Sequence, residues 1–512
     1  MLNDGLGSWL RRRQRLSPND VAVIEGESHH TYADLADRAH RLGKVLRRLG
    51  VERGDRVAFL GKNSATFLET LVGTTSLGAI FVPLNWRLAP PELAHIVADC
   101  GAHVLIHDAD LGDVVAQVYD DNRVDLQHIV VRGDDYDTLL AGASPDWVDV
   151  PVALDDPAVI IYTSGTTGRP KGATLSHGNV TWNCYHVLID TGLSADEVAL
   201  VCAPMFHVAA LNMVTMPSIL TGGTIVFMDR FEPGEALRLI ERHGVTVMFG
   251  VPAMFNALSQ HPDWATADLS SMRRALCGGA PVPLATITTW LDRRVTFLQG
   301  YGMTETSPGA LFLGARRAQD KAGTAGVASF FTDVEVRRPD GNPVGPGVRG
   351  EVVVSGPNVM LGYWNNPAAT ADVIRDGWFH SGDIAVVDDE GYVTIVDRLK
   401  DMFVSGGENV YPAEVEDAIY SHEGVADCAV IGIPDDRWGE VGRALVVPRS
   451  GARPAATELA AHLDGRLARY KIPASFVFVD ELPRSGAGKL LKPVLRKNYG
   501  GPRGSLADEE TP

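Results

Sequence analysis

The sequence predicts an α/β fold, with a large N-terminal domain of layered sheets and helices and a small α+β C-terminal domain. Three observations carry the two-domain architecture. Short apolar runs alternate with amphipathic stretches through most of the chain, the texture changes after Gly350, and a second compact set of elements begins beyond Asp401. A chain of 512 residues leaves room for roughly two to four domains.

The apolar runs "RVAFL" (from Arg56), "AVIIYT" (from Ala158), "TIVFM" (from Thr224), "VTVMFG" (from Val245) and "VTFLQG" (from Val295) read as buried strands. Between such runs lie stretches like "TYADLADRAHRLGKVLRRLG", apolar at helical spacing and stopped by Gly50. Strand–helix alternation implies layers built on largely parallel sheets. After Gly350, "EVVVSG" and "IAVVDDEGYVTIVDR" read as strands, the second a hairpin turning at "DDEG". The small unit follows as helix "PAEVEDAIYSH", strands "DCAVIGI" and "RALVVP", helix "TELAAHLDGRLA" and strand "SFVFVDE". The expected division is residues 1–399, 400–500 and a Gly-rich, polar, disordered tail at 501–512.

The net charge of −18 argues against a nucleic-acid binder, which would present a basic face. It does not bar phosphate ligands, which local lysines and backbone N–H groups can hold. The five cysteines show no C-x-x-C spacing and read as reduced, buried thiols of a cytoplasmic protein. No apolar run reaches the length of a membrane span. The basic "RRRQR" at Arg11–Arg15 reads as a solvated helix face, with weak contact to a membrane surface as the other reading.

The stretch "YTSGTTGRPKGATLSHGN", Tyr162 to Asn179, bears the marks of a phosphate-gripping loop. A strand runs into Thr163, Ser164, Gly165, Thr166, Thr167 and Gly168, with Lys171 beyond. The spacing fails the Walker A pattern, and no G-x-S-x-G elbow marks a hydrolase serine. The loop's chemistry alone leaves a phosphate grip and a mobile surface loop equally open.

Four further stretches decide between them: "QGYGMTET", "GWFHSGD" (Gly377–Asp383), "DRLKDMFVSGGENVYPAEVE" (Asp397–Glu416) and "PRSGAGKLLK" (Pro483–Lys492). Together with the loop they resemble the ordered motifs of the adenylate-forming superfamily, which comprises acyl-CoA synthetases, peptide-synthetase adenylation domains and luciferases. The resemblance spans about Thr31 to Leu495, and "PMFHVAAL" (from Pro204) is most similar to bacterial fatty acyl-CoA synthetases and coumarate-CoA ligases. It implies a two-step reaction with ATP, Mg²⁺ and coenzyme A. A carboxylate attacks the α-phosphorus to give acyl-AMP, and a thiol then takes the acyl group.

The resemblance also implies roles. Thr163 to Lys171 close over the β- and γ-phosphates; Thr304 bonds the α-phosphate and Glu305 holds Mg²⁺. Gly279, Ala280 and Pro281 wall the adenine, with Tyr301 stacking on it or packing as core. Asp383 and Arg398 hold the ribose. Lys489 bridges carboxylate and α-phosphate during adenylation, whereas Lys492 reads as a surface charge. Lys400 is the hinge about which the small domain turns, removing Lys489 and bringing Ser405, Gly406, Gly407 and Glu408 to line the pantetheine tunnel. Trp438 reads as packing or as a CoA contact.

The expected acyl pocket is lined by His207, Val208, Phe249, Val251, Cys277, Gly302 and Met303, with His207 either a gate or a packed core histidine. No aspartate stands where amino-acid activators bind an α-ammonium, and no arginine is placed for a second carboxylate. A medium- to long-chain fatty acid is therefore the first expectation, and an arylpropenoic or aryl acid the second. Transfer to an amine or a carrier-protein thiol would share the first step. A non-catalytic nucleotide sensor would tend to lose Lys489 or Glu305, and both are present.

Overall fold

In the computed structural model the described residues are all except 1, 164–169, 281, 399–400, 406–407, 436, 453, 465, 468, 486–489, 507 and 512, with side chains at 397, 398, 408 and 409 also set aside. The chain divides into two compact units, Met1–Val334 with Val354–Phe379, and Glu335–Val353 with His380–Pro512. This break comes before the expected one near Lys400. The strand Gly350–Ser355 begins in the second unit, and the strand Trp378–Val387 continues there into its antiparallel partner Val393–Arg398, so a hydrogen-bonded hairpin keeps residues 380–398 with the small unit.

The first unit carries a nine-stranded and a seven-stranded sheet. In the nine-stranded sheet, strands Thr296–Gly302, Arg274–Gly278, Val247–Gly250, Val198–Val201, Thr224–Phe227 and Val21–Glu25 run parallel in that spatial order. Their burial is nearly continuous, as strands covered on both faces require. Antiparallel strands Gly309–Leu313 and Ser28–Thr31 flank the parallel set. The seven-stranded sheet runs Gly362–Tyr363, Lys171–Ser176, Pro157–Thr163, Ile80–Leu84, Arg56–Leu60, Val104–His107, His128–Val131.

The helix Ala65–Ser76 lies wholly in the core: every residue of it is buried. Several of its polar side chains are satisfied by hydrogen bonds, although Thr74 Oγ1 is buried with no partner among the described residues. Thr70 and Thr75 Oγ1 donate to carbonyls one turn back, and Glu69 accepts from Arg38 Nε (2.6 Å) and from the Tyr136 hydroxyl (2.6 Å). These bonds remove most of the cost of burying such groups. The basic run Arg11–Arg15 falls in the helix Trp9–Leu16 and faces inward in part. Arg13 Nε donates to Ile219 O (3.0 Å) at a neighbouring helix end, and the Arg11 guanidinium stands 5.4 Å from the Trp147 ring centroid. Arg11 and Arg13 serve as internal fasteners, whereas Arg15 is exposed.

In the second unit a six-stranded sheet is covered by the helices Pro412–Tyr420 and Lys492–Tyr499. Lys492 is buried and paired with Glu416 at 2.9 Å, which corrects its reading as a surface charge. The tail departs from the expected disorder. Residues Glu509–Glu510 add an edge strand beside Ser475–Phe478, held by an ion pair at 2.8 Å between Glu509 and the fully buried Arg443. Arg443 also donates to the carbonyls of Gly501 and Pro502. A buried guanidinium needs such acceptors, and the tail supplies them. All five cysteines are free and buried. Among the described residues no helix is long and apolar enough to cross a membrane.

Candidate active site

The first sequence motif forms a β-hairpin. Strand Pro157–Thr163 turns back as Lys171–Ser176, with Thr163 opposite Lys171 in the ladder. Ser164, Gly165, Thr166, Thr167 and Gly168 lie outside the described residues. Lys171 thus sits on the returning strand rather than in the loop, and its Nζ stands 5.1 Å from the centroid of the Tyr363 ring.

Thr304 and Glu305 lie in the 3₁₀ turn Thr304–Thr306, directly after strand Thr296–Gly302. Buried bonds fix this turn. Thr306 Oγ1 donates to Pro308 O (2.6 Å), Asn358 Nδ2 to Thr306 O (2.9 Å), and Met360 N to Glu305 O (2.8 Å). Ser307 is held at φ +70°, a left-handed conformation in which a non-glycine residue stores strain. Gly302 must be glycine, because a Cβ there would lie 1.6 Å from Pro308 O. The Glu305 carboxylate is oriented by the Tyr363 hydroxyl, which donates to Oε1 at 2.8 Å. Sequence reasoning missed Tyr363 and Asn358. Both act across long sequence separations, and the only local signal was "GYWNNP" following a strand.

Gly279 and Ala280 follow the carboxyl end of strand Arg274–Gly278, and Tyr301 sits at the same end of its parallel neighbour, where Gly278 pairs with Gly300. Ligands of open parallel sheets bind at such carboxyl ends. Pro281 is outside the described residues. Val251 follows the neighbouring strand Val247–Gly250 as the N-cap of the helix Pro252–Gln260, and a Cβ on Gly279 would come 3.6 Å from its Cγ1.

The expected acyl-pocket residues do not all share one face. Val208 and Phe249 belong to the core cluster between the sheets, with Met303 packed against it. Cys277 packs into the cluster on the opposite face of the nine-stranded sheet, with Met248, Phe297 and Trp290, where burial pushes its thiol well above the usual range. Phe249 lies opposite Leu276 and Cys277 opposite Gly250, so by the two-residue strand period the side chains of Phe249 and Cys277 fall on opposite faces of the sheet. His207 precedes the helix Val208–Ala210 with its ring 4.6 Å from that of Phe206. The next turn, Leu211–Thr215, is π-helical, a form frequent at functional sites. It carries buried Asn212, whose Nδ2 donates to Ser307 O at 3.1 Å. Asn212 Oδ1 and Ser307 Oγ are buried with no hydrogen-bond partner among the described residues.

In the second unit Asp383 is buried and stands opposite Arg398 in the ladder of Trp378–Val387 and Val393–Arg398. Its approach is braced by Glu351, which accepts from His380 Nδ1 (2.9 Å) and Gly382 N (3.0 Å). Ser405 is buried on the strand Phe403–Ser405, opposite Glu408. Gly406, Gly407, Lys400 and Lys489 lie outside the described residues. Trp438 is exposed with Arg437 over its ring, so it does not serve as core packing.

This arrangement, a hairpin lysine beside a carboxylate turn and small residues at strand carboxyl ends, is matched by a family model. The model described as AMP-binding enzyme covers residues 10–364, and that of the AMP-binding enzyme C-terminal domain covers 414–489. The chain belongs to the AMP-binding enzyme family. Within the family it is 54% identical over 500 residues to a feruloyl-CoA synthase of Amycolatopsis sp, covering 98% of this chain and 100% of that protein. It is 40% identical over 504 residues to the long-chain-fatty-acid–CoA ligase FadD13 of Mycobacterium tuberculosis, covering 96% and 98%. Among solved structures, ATP-bound MatB from Rhodopseudomonas palustris aligns with a TM-score of 0.91 at 32% identity, covering 97% and 99%. The adenylate-forming resemblance holds, and as an enzyme the chain is an acid–thiol ligase of the AMP-forming class.

Proposed function

We propose that this ligase activates an arylpropenoic or aryl carboxylic acid through an acyl-AMP and passes it to coenzyme A. The observation that carries the reading is the identity to the feruloyl-CoA synthase, 54% against 40% for the fatty-acid ligase. The second reading is a medium- to long-chain fatty acid, favoured by the apolar Val208, Phe249 and Met303 and by the mycobacterial relative.

In this reading the carboxylate and the triphosphate repel, so adenylation depends on neutralising charge and aligning the attack. Lys171 and the hydroxyls of Thr163 to Thr167 grip the β- and γ-phosphates, Thr304 bonds the α-phosphate, and Lys489 bridges to the carboxylate. Among the described residues no group of three His, Cys, Asp or Glu forms a metal cage. A cation held by one carboxylate and mainly by substrate phosphates suits Glu305 and the preferences of Mg²⁺, which when bound neutralises phosphate charge. Asp383 and Arg398 take the ribose, and Ser405 to Glu408 the pantetheine.

The test is CoA-dependent AMP release on hexanoate, octanoate, dodecanoate, palmitate, benzoate, 4-coumarate and ferulate. The expected result is kcat/KM for the hydroxycinnamates at least tenfold above any alkanoate. An apolar tunnel would instead gain about 0.8 kcal/mol per methylene, and a steady rise along the aliphatic series would establish the fatty-acid reading. Adenylation without thioester, but with amide on adding amines, would remove CoA as acceptor.

A further inference from the structure

The short segment Met360–Trp364 ties together two parts of the site that the sequence keeps about 130 residues apart. On one side its backbone joins the hairpin arm: Leu361 N donates to Thr174 O (2.9 Å), Trp364 N to Gly172 O (2.7 Å), and Tyr363 pairs with Ala173. On the other side it joins the carboxylate turn: Met360 N donates to Glu305 O (2.8 Å) and the Tyr363 hydroxyl to Glu305 Oε1 (2.8 Å). The Tyr363 ring presents a face to Lys171 Nζ, 5.1 Å from its centroid. One side chain therefore touches both the lysine and the carboxylate.

We propose that Tyr363 is a positioning residue that sets Glu305 for the cation and seats Lys171 for the phosphates. The claim rests on the reading of Glu305 as the cation's ligand. The hydroxyl fixes the carboxylate rotamer, so the group would already be oriented for a cation. The ring fixes the lysine by a cation–π contact, which adds no counter-charge to compete with phosphate. Partners behind a metal ligand commonly govern 10–100-fold in metal affinity, roughly the scale expected here.

The two contacts separate by substitution. Tyr363→Phe keeps the ring and removes the hydroxyl; Tyr363→Leu removes both. Mn²⁺ binding to the enzyme–ATP complex, followed by electron paramagnetic resonance, should weaken about tenfold in Tyr363→Phe. ATP affinity measured in EDTA should be unchanged in Tyr363→Phe and fall about threefold in Tyr363→Leu, the worth of an exposed cation–π contact. Glu305→Gln is the reference. If it weakens Mn²⁺ while Tyr363→Phe binds like the parent, the positioning role is overturned and the ligand reading stands. If Glu305→Gln also binds Mn²⁺ like the parent, the ligand reading itself falls and the proposal with it. Equal loss of metal-free ATP affinity in both tyrosine variants would mark a structural defect and overturn the proposal.

Discussion

Asp190 is a carboxylate in an unfavourable place. It lies on the helix His177–Thr191, accepts from Ser329 Oγ at 2.9 Å, and burial raises its pKa to about 6. The folded-state value lies above the unfolded one, so the native protein holds the proton longer. Stability contributed by this group is greatest below about pH 4, falls as pH rises toward 6, and stays low above that. Asp190→Asn keeps an acceptor for Ser329 and removes the charge. It should stabilise by about 2 kcal/mol at pH 8 and by nothing at pH 4, read from denaturant midpoints at the two pH values. A gain independent of pH would show that the charge is not the cause. Glu305, Tyr301 and Gly279 were legible as residues because their motif neighbours are local. Tyr363 was not, since its meaning arises from a two-residue strand pairing with a hairpin far up the chain.

At the scale of elements, the buried parallel strands were readable because they are apolar on both faces, as in "VTVMFG". The helix Ala65–Ser76 was harder. Enclosed on all sides and rich in threonine, it shows no apolar stripe for a periodicity argument to find. The tail strand was misjudged for another reason. "GGPRGSLADEETP" is polar and Gly-rich, and its order depends on Arg443, whose burial becomes evident only in the folded sheet. Glu509→Ala should leave that guanidinium without its counter-charge and cost about 3 kcal/mol, the low end for a broken buried pair, since the remaining carbonyl acceptors stay. Urea unfolding of the full chain checks this, and an unchanged midpoint would show that the tail does not brace the unit. Deleting residues 503–512 should reproduce the loss.

For the whole molecule, the two-unit division was visible in the change of texture, though not its place, because a hairpin ladder draws residues 380–398 into the small unit. The pivot assigned to Lys400 by resemblance suggests a direct test. Proline fixes φ and restricts its predecessor, so Lys400→Pro should form acyl-AMP at near-normal rate while CoA-dependent turnover collapses. Normal thioester production would place the pivot elsewhere. The nine-stranded sheet carries a different consequence, for synthesis. Strand Val21–Glu25 is bonded on its parallel side to Thr224–Phe227, with Val23 opposite Ile225. The ribosome makes the first of these partners some two hundred residues before the second, a delay of roughly 10–40 s at ordinary elongation rates. Through that interval Ala22, Val23 and Ile24 have no parallel strand on which to close. Over the same interval six of the seven strands of the other sheet, between Arg56 and Ser176, have already been made, so the sheet whose strands lie close in sequence can close well before the nine-stranded one.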